Sequence, residues 1–460
     1  MPIAFLLVTL ICLIAFKGAD AINTWSPYVL LSAATLALVL SAKYLKGKMS
    51  GLAWGVRSSA TQILPAVPIL LFIAILSTTW MLGGIVPTFI HYGLQYLNAK
   101  AFLVTVCAVS GCISVLTGSS WTTIATIGVA FMGIGQVMGY SDPWIAGAVI
   151  SGAYFGDKVS PLSDTTVVAS SSCGVDLFTH IRYLLLTAGP SMGIALLVFL
   201  IEGLVHNPTM VGEQHSQMLD VLHITFNITP WVLIVPAITL LLIALKLNTM
   251  ITLAISSALG VVAMLIFQPQ IPLDAEYIKA VWSGAVFNTS DQGFNDLVST
   301  SGVLGMLPTI YLVLSAMLFG GAMIGTGMLR AISTAITRKL KGVKGIIGAT
   351  IGSGLMLNGF TADQYLSIII GANMYKEVYA RTGLEARKLS RTLEDSISVT
   401  SVLIPWNSCG LTQSAVLGVS TIAYFPYCVF NYLSPVMSFV MSTGILKVRR
   451  GVIARFRKAV

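Results

Sequence analysis

The sequence predicts an all-α polytopic membrane protein built as an inverted repeat, with five spans plus one helical hairpin in each half and two broken helices. Three observations predict it. Of 460 residues, 56% are hydrophobic and 9% are charged, whereas a soluble domain carries about 25% charged residues. Apolar stretches of spanning length recur from end to end, and helices satisfy their own backbone groups in lipid. The order of polar interruptions in the first half returns in the second.

Spans are expected at about 2–17, 25–42, 63–82, 143–156, 178–203, 228–246, 248–267, 306–324, 389–407 and 421–446. Residues 3–16 have the length of a signal-peptide core, but no basic segment precedes them and no small-residue cleavage site is evident, so a first spanning helix is expected. Two further apolar stretches, 101–139 and 344–374, have polar, glycine-containing centres, "LTGSSWTT" and "LNGFTADQ". Each reads as a hairpin that returns to the side it entered.

The formal charge of +9 sits in short loops, the pattern of a topology signal, so no nucleic-acid partner is expected. With the N-terminus cytoplasmic, the basic clusters at Lys43–Arg57, 329–345 and Lys376–Arg391 and the tail 447–460 all fall on the cytoplasmic side. The acidic loop 202–224, with Glu202, Glu213 and Asp220 and overlapping the connecting segment 206–226, falls outside. The chain is thus expected to be a multi-pass protein of the plasma membrane with both termini inside. Its six cysteines show no metal-ligand or redox spacing and read as free buried thiols. The five histidines read as interfacial.

The two hairpins correspond at an offset of 241 residues, Gly118 to Gly359, and "GDKVSPLSDTT…SSCG" corresponds to "EDSISVTSVLIPWNSCG" with Asp157 opposite Asp395. Five crossings per half is an odd number, so the halves enter the membrane from opposite sides, as in many secondary transporters. The first repeat is then 1–205, with hairpin 101–139 and broken helix 143–176. The second is 227–446, with hairpin 344–374 and broken helix 389–415.

Chemistry is expected at the breaks. Gly156 and Pro161 interrupt the helix and free backbone carbonyls. Asp157 and Asp164 add carboxylates, and Ser160, Ser163, Thr165 and Thr166 add hydroxyls. Hard cations such as Na⁺ favour oxygen donors of this kind. A carboxylate at bilayer depth costs at least about 2.5–3.5 kcal/mol and is seldom idle. A proton and a cation compete for its oxygens, which is the simplest basis for exchange. Asp363 and Asp395 are further candidates for ion or proton binding. Ser119, Ser120, Thr122, Thr123, Asn358, Thr361, Gln364, Thr400, Ser401, Asn407 and Ser408 are candidates for contacting substrate.

The segments "SSWTTIATIGVAFMGIG", "ISGAYFGDKVSPLSDTT", "GVDLFTHIRY" and "LEDSISVTSVLIPWNSCG" resemble the NhaC family of sodium/proton antiporters within the ion-transporter superfamily. The resemblance spans nearly the whole chain. It implies Na⁺/H⁺ exchange without a cofactor, with relatives that exchange small carboxylates such as malate and lactate. It also implies re-entrant hairpins, a homodimer formed through a scaffold domain, and elevator-like movement of a transport domain. One alternative is Na⁺- or H⁺-coupled exchange of a small organic anion or amino acid. A remote alternative, suggested by "YFGD", is an intramembrane aspartyl protease pairing Asp157 with Asp395.

Overall fold

The computed structural model describes residues 2–442 except 18–20, 46–48, 65, 206–219, 246, 272, 290–293, 296–297 and 338–341. The described residues fold into helices and connecting turns, with no strand among them. Six helices are long and apolar enough to cross a membrane: Thr24–Ala42, Ala99–Thr117, Ser120–Val137, Leu177–Val205, Thr249–Phe267 and Gly302–Gly325. A seventh crossing is available from Val67–Leu82 and Ile85–Tyr96, which meet at 66°. The hinge between them is Gly84, at φ 75°. Helix Asp142–Val159 carries Asp142, Asp157 and Lys158, and the parts of the second broken helix are short, so composition alone marks neither as a span. The chain is a multi-pass helical membrane protein.

Both hairpins and both breaks are present. The first hairpin pairs Phe102–Thr117 with a helix running from Ser120 to Val137, interrupted by a π turn at Ile124–Gly128. The second pairs Gly342–Thr361 with Gln364–Arg381 and so extends past the expected residue 374. The first broken helix is Asp142–Val159 followed by Asp164–Cys173. The second is Ala386–Leu393, a π turn at Glu394–Ser398, an irregular stretch, then Ser408–Leu417.

Packing divides along the same lines. The first hairpin and Asp142–Val159 anchor one apolar cluster, including Phe102, Val106, Ile145, Val149 and Phe430. The second hairpin and its broken helix share another, with Ile346, Leu357, Ile368, Tyr375, Leu393 and Ile397. A third joins Leu6, Leu10, Leu30 and Ala33 to Leu312, Ala316 and Phe319. Lipid is as apolar as leucine, so close backbone approach matters more here than in water. Gly156 illustrates this. It lies inside the helix, and a Cβ there would meet the Gly111 carbonyl oxygen at 2.3 Å. It serves a helix crossing; the break itself begins four residues later, at Ser160.

Three sequence expectations are corrected. Met49–Ile63, read as part of a basic loop, is a helix. It packs against Leu307–Gly325, with a Cβ on Gly55 lying 2.4 Å from the Gly321 carbonyl oxygen. Glu202 lies within helix Leu177–Val205, not in a loop. His180 is fully buried, its Nδ1 2.9 Å from Ser390 Oγ, and is not interfacial. Residues 206–219 and the tail 447–460 lie outside the described residues.

Candidate functional site

The first break is built from local chain chemistry. Ser160 turns extended, and Pro161 has no N–H to continue the helix. Ser163 restarts it as an N-cap, accepting from the Thr166 backbone N–H. Asp164 then occupies the first turn, where the helix dipole favours an anion. The hydroxyls of the break are largely committed to this frame. Ser160 Oγ donates to the Val115 carbonyl at 2.8 Å, Thr166 Oγ1 donates to the Lys158 carbonyl at 3.1 Å, and Ser163 and Thr165 share a hydrogen bond at 3.0 Å.

The first hairpin tip closes on this break. Gly118 adopts φ 68°, and a Cβ there would lie 2.5 Å from Leu162 Cβ. Ser119 caps the returning helix through the Thr122 N–H at 3.2 Å, and Thr123 Oγ1 donates to the Ser119 carbonyl at 2.9 Å. Ser120 then donates twice to Asp157 Oδ2, from its backbone N–H at 3.1 Å and its hydroxyl at 2.6 Å. A helix N-terminus therefore meets a half-buried carboxylate.

The second tip is analogous. Ala362, at φ 57°, is the one non-glycine residue at positive φ among the described residues. Asp363 caps the returning helix by accepting from the Leu366 N–H at 2.9 Å, and Thr361 Oγ1 donates to the Asp363 carbonyl at 2.8 Å. Several bonds tie the tip to the second break. The Ser408 N–H donates to the Ala362 carbonyl at 2.8 Å, Trp406 Nε1 to the Gly359 carbonyl at 2.8 Å, and Asn407 Nδ2 to the Asn358 carbonyl at 3.0 Å. Asn358 in turn donates to the Ile397 carbonyl at 2.7 Å, and Ser401 Oγ to Gln364 Oε1 at 3.2 Å. Thr400 Oγ1 bonds its own helix, at the Ser396 carbonyl, 2.6 Å away.

Both tips line one open cavity of about 600 Å³. Asp157, Asp164, Thr165, Ser119 and Thr122 reach it from the first half, and Asp363, Gln364 and Ser408 from the second. Ile69, Ile243, Asn248 and Thr252 form a facing wall from helices outside the hairpins and breaks. Three carboxylates border the cavity, and among the described residues no Lys, Arg or His lines it. The arrangement suits a cation and disfavours an anion. Ser160, Ser163, Thr166, Thr123, Asn358, Thr361, Thr400, Ser401 and Asn407 do not line it; they hold the tips and breaks in shape.

Asp395 is placed elsewhere. It forms a buried ion pair with Lys158, accepts from Ser434 Oγ at 2.8 Å and Thr187 Oγ1 at 3.2 Å, and has Arg391 Nε 3.9 Å away. With Lys158 occupying it, Asp395 does not face Asp157, which removes the geometry of an aspartyl protease dyad. Sequence reasoning weighed its neighbour Glu394 together with it but did not count Glu394 among the site residues. Glu394 is fully buried, and neither carboxylate oxygen has a hydrogen-bond partner. It borders a second, water-sized void with Asp157, Thr165, Gln364 and Ser398. Its only sequence signal was adjacency to Asp395. Trp121 and Tyr365, also in the main cavity, gave none.

Comparison with known proteins agrees with this architecture. The model of the Na⁺/H⁺ antiporter family matches residues 1–176 and 152–443. The Na⁺/H⁺ antiporter NhaC of Alkalihalophilus pseudofirmus is 33% identical over 412 residues, covering 90% of this chain and 89% of that protein. NhaC of Bacillus subtilis is 30% identical over 440 residues, 95% of each chain. The malate-2H⁺/Na⁺-lactate antiporter of Bacillus subtilis is 34% identical over 373 residues, 81% of this chain and 79% of that protein. These relatives are antiporters, not enzymes, and the residues that the family model matches include both hairpins and both breaks. The chain belongs to the NhaC-type Na⁺/H⁺ antiporter family.

Proposed function

We propose that the chain exchanges Na⁺ for protons across the plasma membrane, at the cavity between the two hairpin tips. The observation that carries this reading is the convergence of Asp157, Asp164 and Asp363 on one cavity that, among the described residues, no basic side chain lines. Ser119, Thr122, Thr165, Gln364 and Ser408 supply neutral oxygens beside them, the donor set a hard cation takes. Na⁺ and H⁺ compete for the carboxylate oxygens, so loading one from either side displaces the other.

The cavity lies at a boundary, which supports alternating access of the elevator type. Hairpins and broken helices form one wall, and Ile69, Ile243, Asn248 and Thr252 form the other. We assign the first group, 101–176 with 344–415, to the transport domain, and the rest to a scaffold through which a homodimer forms. The matching order of hairpin and broken helix in each half supports an inverted repeat. The Lys158–Asp395 pair and the shared void of Asp157 and Glu394 favour an offset of 237 residues, one less than the sequence correspondence. Both termini are cytoplasmic and 206–226 is external in this reading.

The relative that exchanges malate and lactate keeps a second reading in view, an exchanger of small organic anions. The cavity's volume would admit one, but its three carboxylates oppose it. Purified protein in liposomes, scanned with Na⁺, Li⁺, K⁺ and small carboxylates against an imposed pH gradient, tests the choice. Na⁺-dependent proton movement indifferent to carboxylates is expected. Proton movement that requires a carboxylate and not Na⁺ would overturn the reading.

A further inference from the structure

The small void beside the main cavity has more oxygen on its rim than hydrogen bonds use. Glu394 opens the π turn Glu394–Ser398 and is fully buried. Among the described residues it is the one buried carboxylate with neither oxygen hydrogen bonded, and Ser398 Oγ, also buried, is unpaired as well. Both side chains border the void. Asp157, Thr165 and Gln364 border it too, and the same three border the main cavity. Lys158 completes the rim, but its ammonium is held by Asp395 and Ser434. π turns recur at functional sites because their extra residue breaks the regular ladder. Here the Val399 N–H reaches back five residues to the Glu394 carbonyl, at 3.3 Å.

Charge, size and donor chemistry define the occupant. By formal charge, Asp157, Glu394 and Asp395 stand against Lys158 and Arg391 around this void, which leaves one negative charge in excess. An uncompensated charge in the interior is costly. The void has about 10 Å³, room for one particle the size of a water molecule. Its acceptors are oxygens, with no sulfur or imidazole among the described residues on the rim, the set a hard cation takes. Water would leave the excess charge in place, and a divalent ion would reverse it. We infer that the void is a second cation site, in which one dehydrated monovalent metal ion is held by Glu394 and Ser398 from the second broken helix, Asp157 and Thr165 from the first, and Gln364 from the second hairpin tip. The site goes beyond the exchange proposed for the main cavity and does not depend on it. Its ion ties both breaks and one tip together and so holds in register the residues that face the cavity.

Equilibrium binding of radioactive Na⁺ to the purified full chain in detergent, at one fixed pH and with choline balancing ionic strength, tests the site. Wild type should bind two Na⁺ per chain. Glu394→Gln should lose the ion of the void and bind one. Asp164→Asn should lose the ion of the main cavity and bind one. Saturating Na⁺ should raise the melting temperature of wild type and of Asp164→Asn, and most of that rise should vanish in Glu394→Gln, where nothing bridges the breaks. Wild-type stoichiometry and affinity in Glu394→Gln would show that the void takes water beside a neutral acid, and would overturn the inference. Loss of all Na⁺ binding in each of the two variants would make void and cavity a single site and overturn it as well. If Glu394→Gln does not fold, Ser398→Ala takes its place. It should weaken one binding event several-fold, and unchanged affinity overturns the inference. Na⁺ binding that survives Asp164→Asn intact but is lost in Glu394→Gln would keep this site and strike the exchange cavity instead, a result distinct from the others.

Discussion

Lys158 and Asp395 form an ion pair from which solvent is excluded on both sides, 1% and 0% exposed, although 237 residues separate them. One comes from each broken helix. The bond pins the two breaks together beside the cavity, and Ser434 and Thr187 complete its shell. Removing one partner leaves an uncompensated charge, which costs about 3–5 kcal/mol, whereas replacing both with apolar groups of similar volume is often neutral. Lys158→Met alone and Asp395→Leu alone should each lower the melting temperature in detergent markedly. The double variant should recover most of the loss. Additive losses would show that the pair is not the bracing element.

The cavity carboxylates should fail differently. Asp164 lines the cavity, so Asp164→Asn should abolish Na⁺-driven proton movement while leaving expression and melting temperature near wild type. Asp157→Asn should abolish exchange too. Ser120→Ala removes one of two donors to Asp157 and should weaken apparent Na⁺ affinity without abolishing transport. Full activity in Asp164→Asn, read with a pH-sensitive dye in liposomes, would remove it from the site.

At the helix crossing, Gly156→Val would drive its Cβ into the Gly111 carbonyl, 2.3 Å away and unable to yield as a side chain would. Overpacking of this kind costs about 1–3 kcal/mol. A lower melting temperature is expected, together with reduced transport, because Asp157 is the next residue. Wild-type stability in Gly156→Val would show that the two helices separate more readily than their packing implies.

Topology is open to labelling. Ser216 and Lys339 both lie outside the described residues. A cysteine at Ser216 in a cysteine-free background should react with an impermeant reagent from outside sealed cells, and one at Lys339 should not. The opposite pattern would invert the assignment of both termini.

The hairpins and breaks were legible because proline, glycine and hydroxyl clusters interrupt apolar runs with few other causes. What lay beyond the sequence was mostly partnership. Asp157 and Ser120 are 37 residues apart and meet only when the tip folds back. Gly156 beside a break reads as a helix breaker, yet its missing Cβ is used for a crossing. Met49–Ile63 looked like a loop because lysines precede it and Arg57 lies within it. Asp395 was preferred over Glu394 because the sequence correspondence set it opposite Asp157. The π turn explains part of the difficulty. Its extra residue rotates everything downstream by about 100° relative to a regular helix, so facing residues cannot be counted across it.

The size of the cavity bears on how ions are told apart. At roughly 30 Å³ per water molecule, 600 Å³ is room for on the order of twenty. An ion enters such a space still wearing most of its hydration shell. Discrimination between Na⁺ and K⁺ then cannot come from a rigid ring sized to a bare radius. In the proposed site it comes from the balance between the cost of shedding a few waters, larger for Na⁺, and the gain at the oxygens of Asp157, Asp164 and Asp363, also larger for the smaller ion.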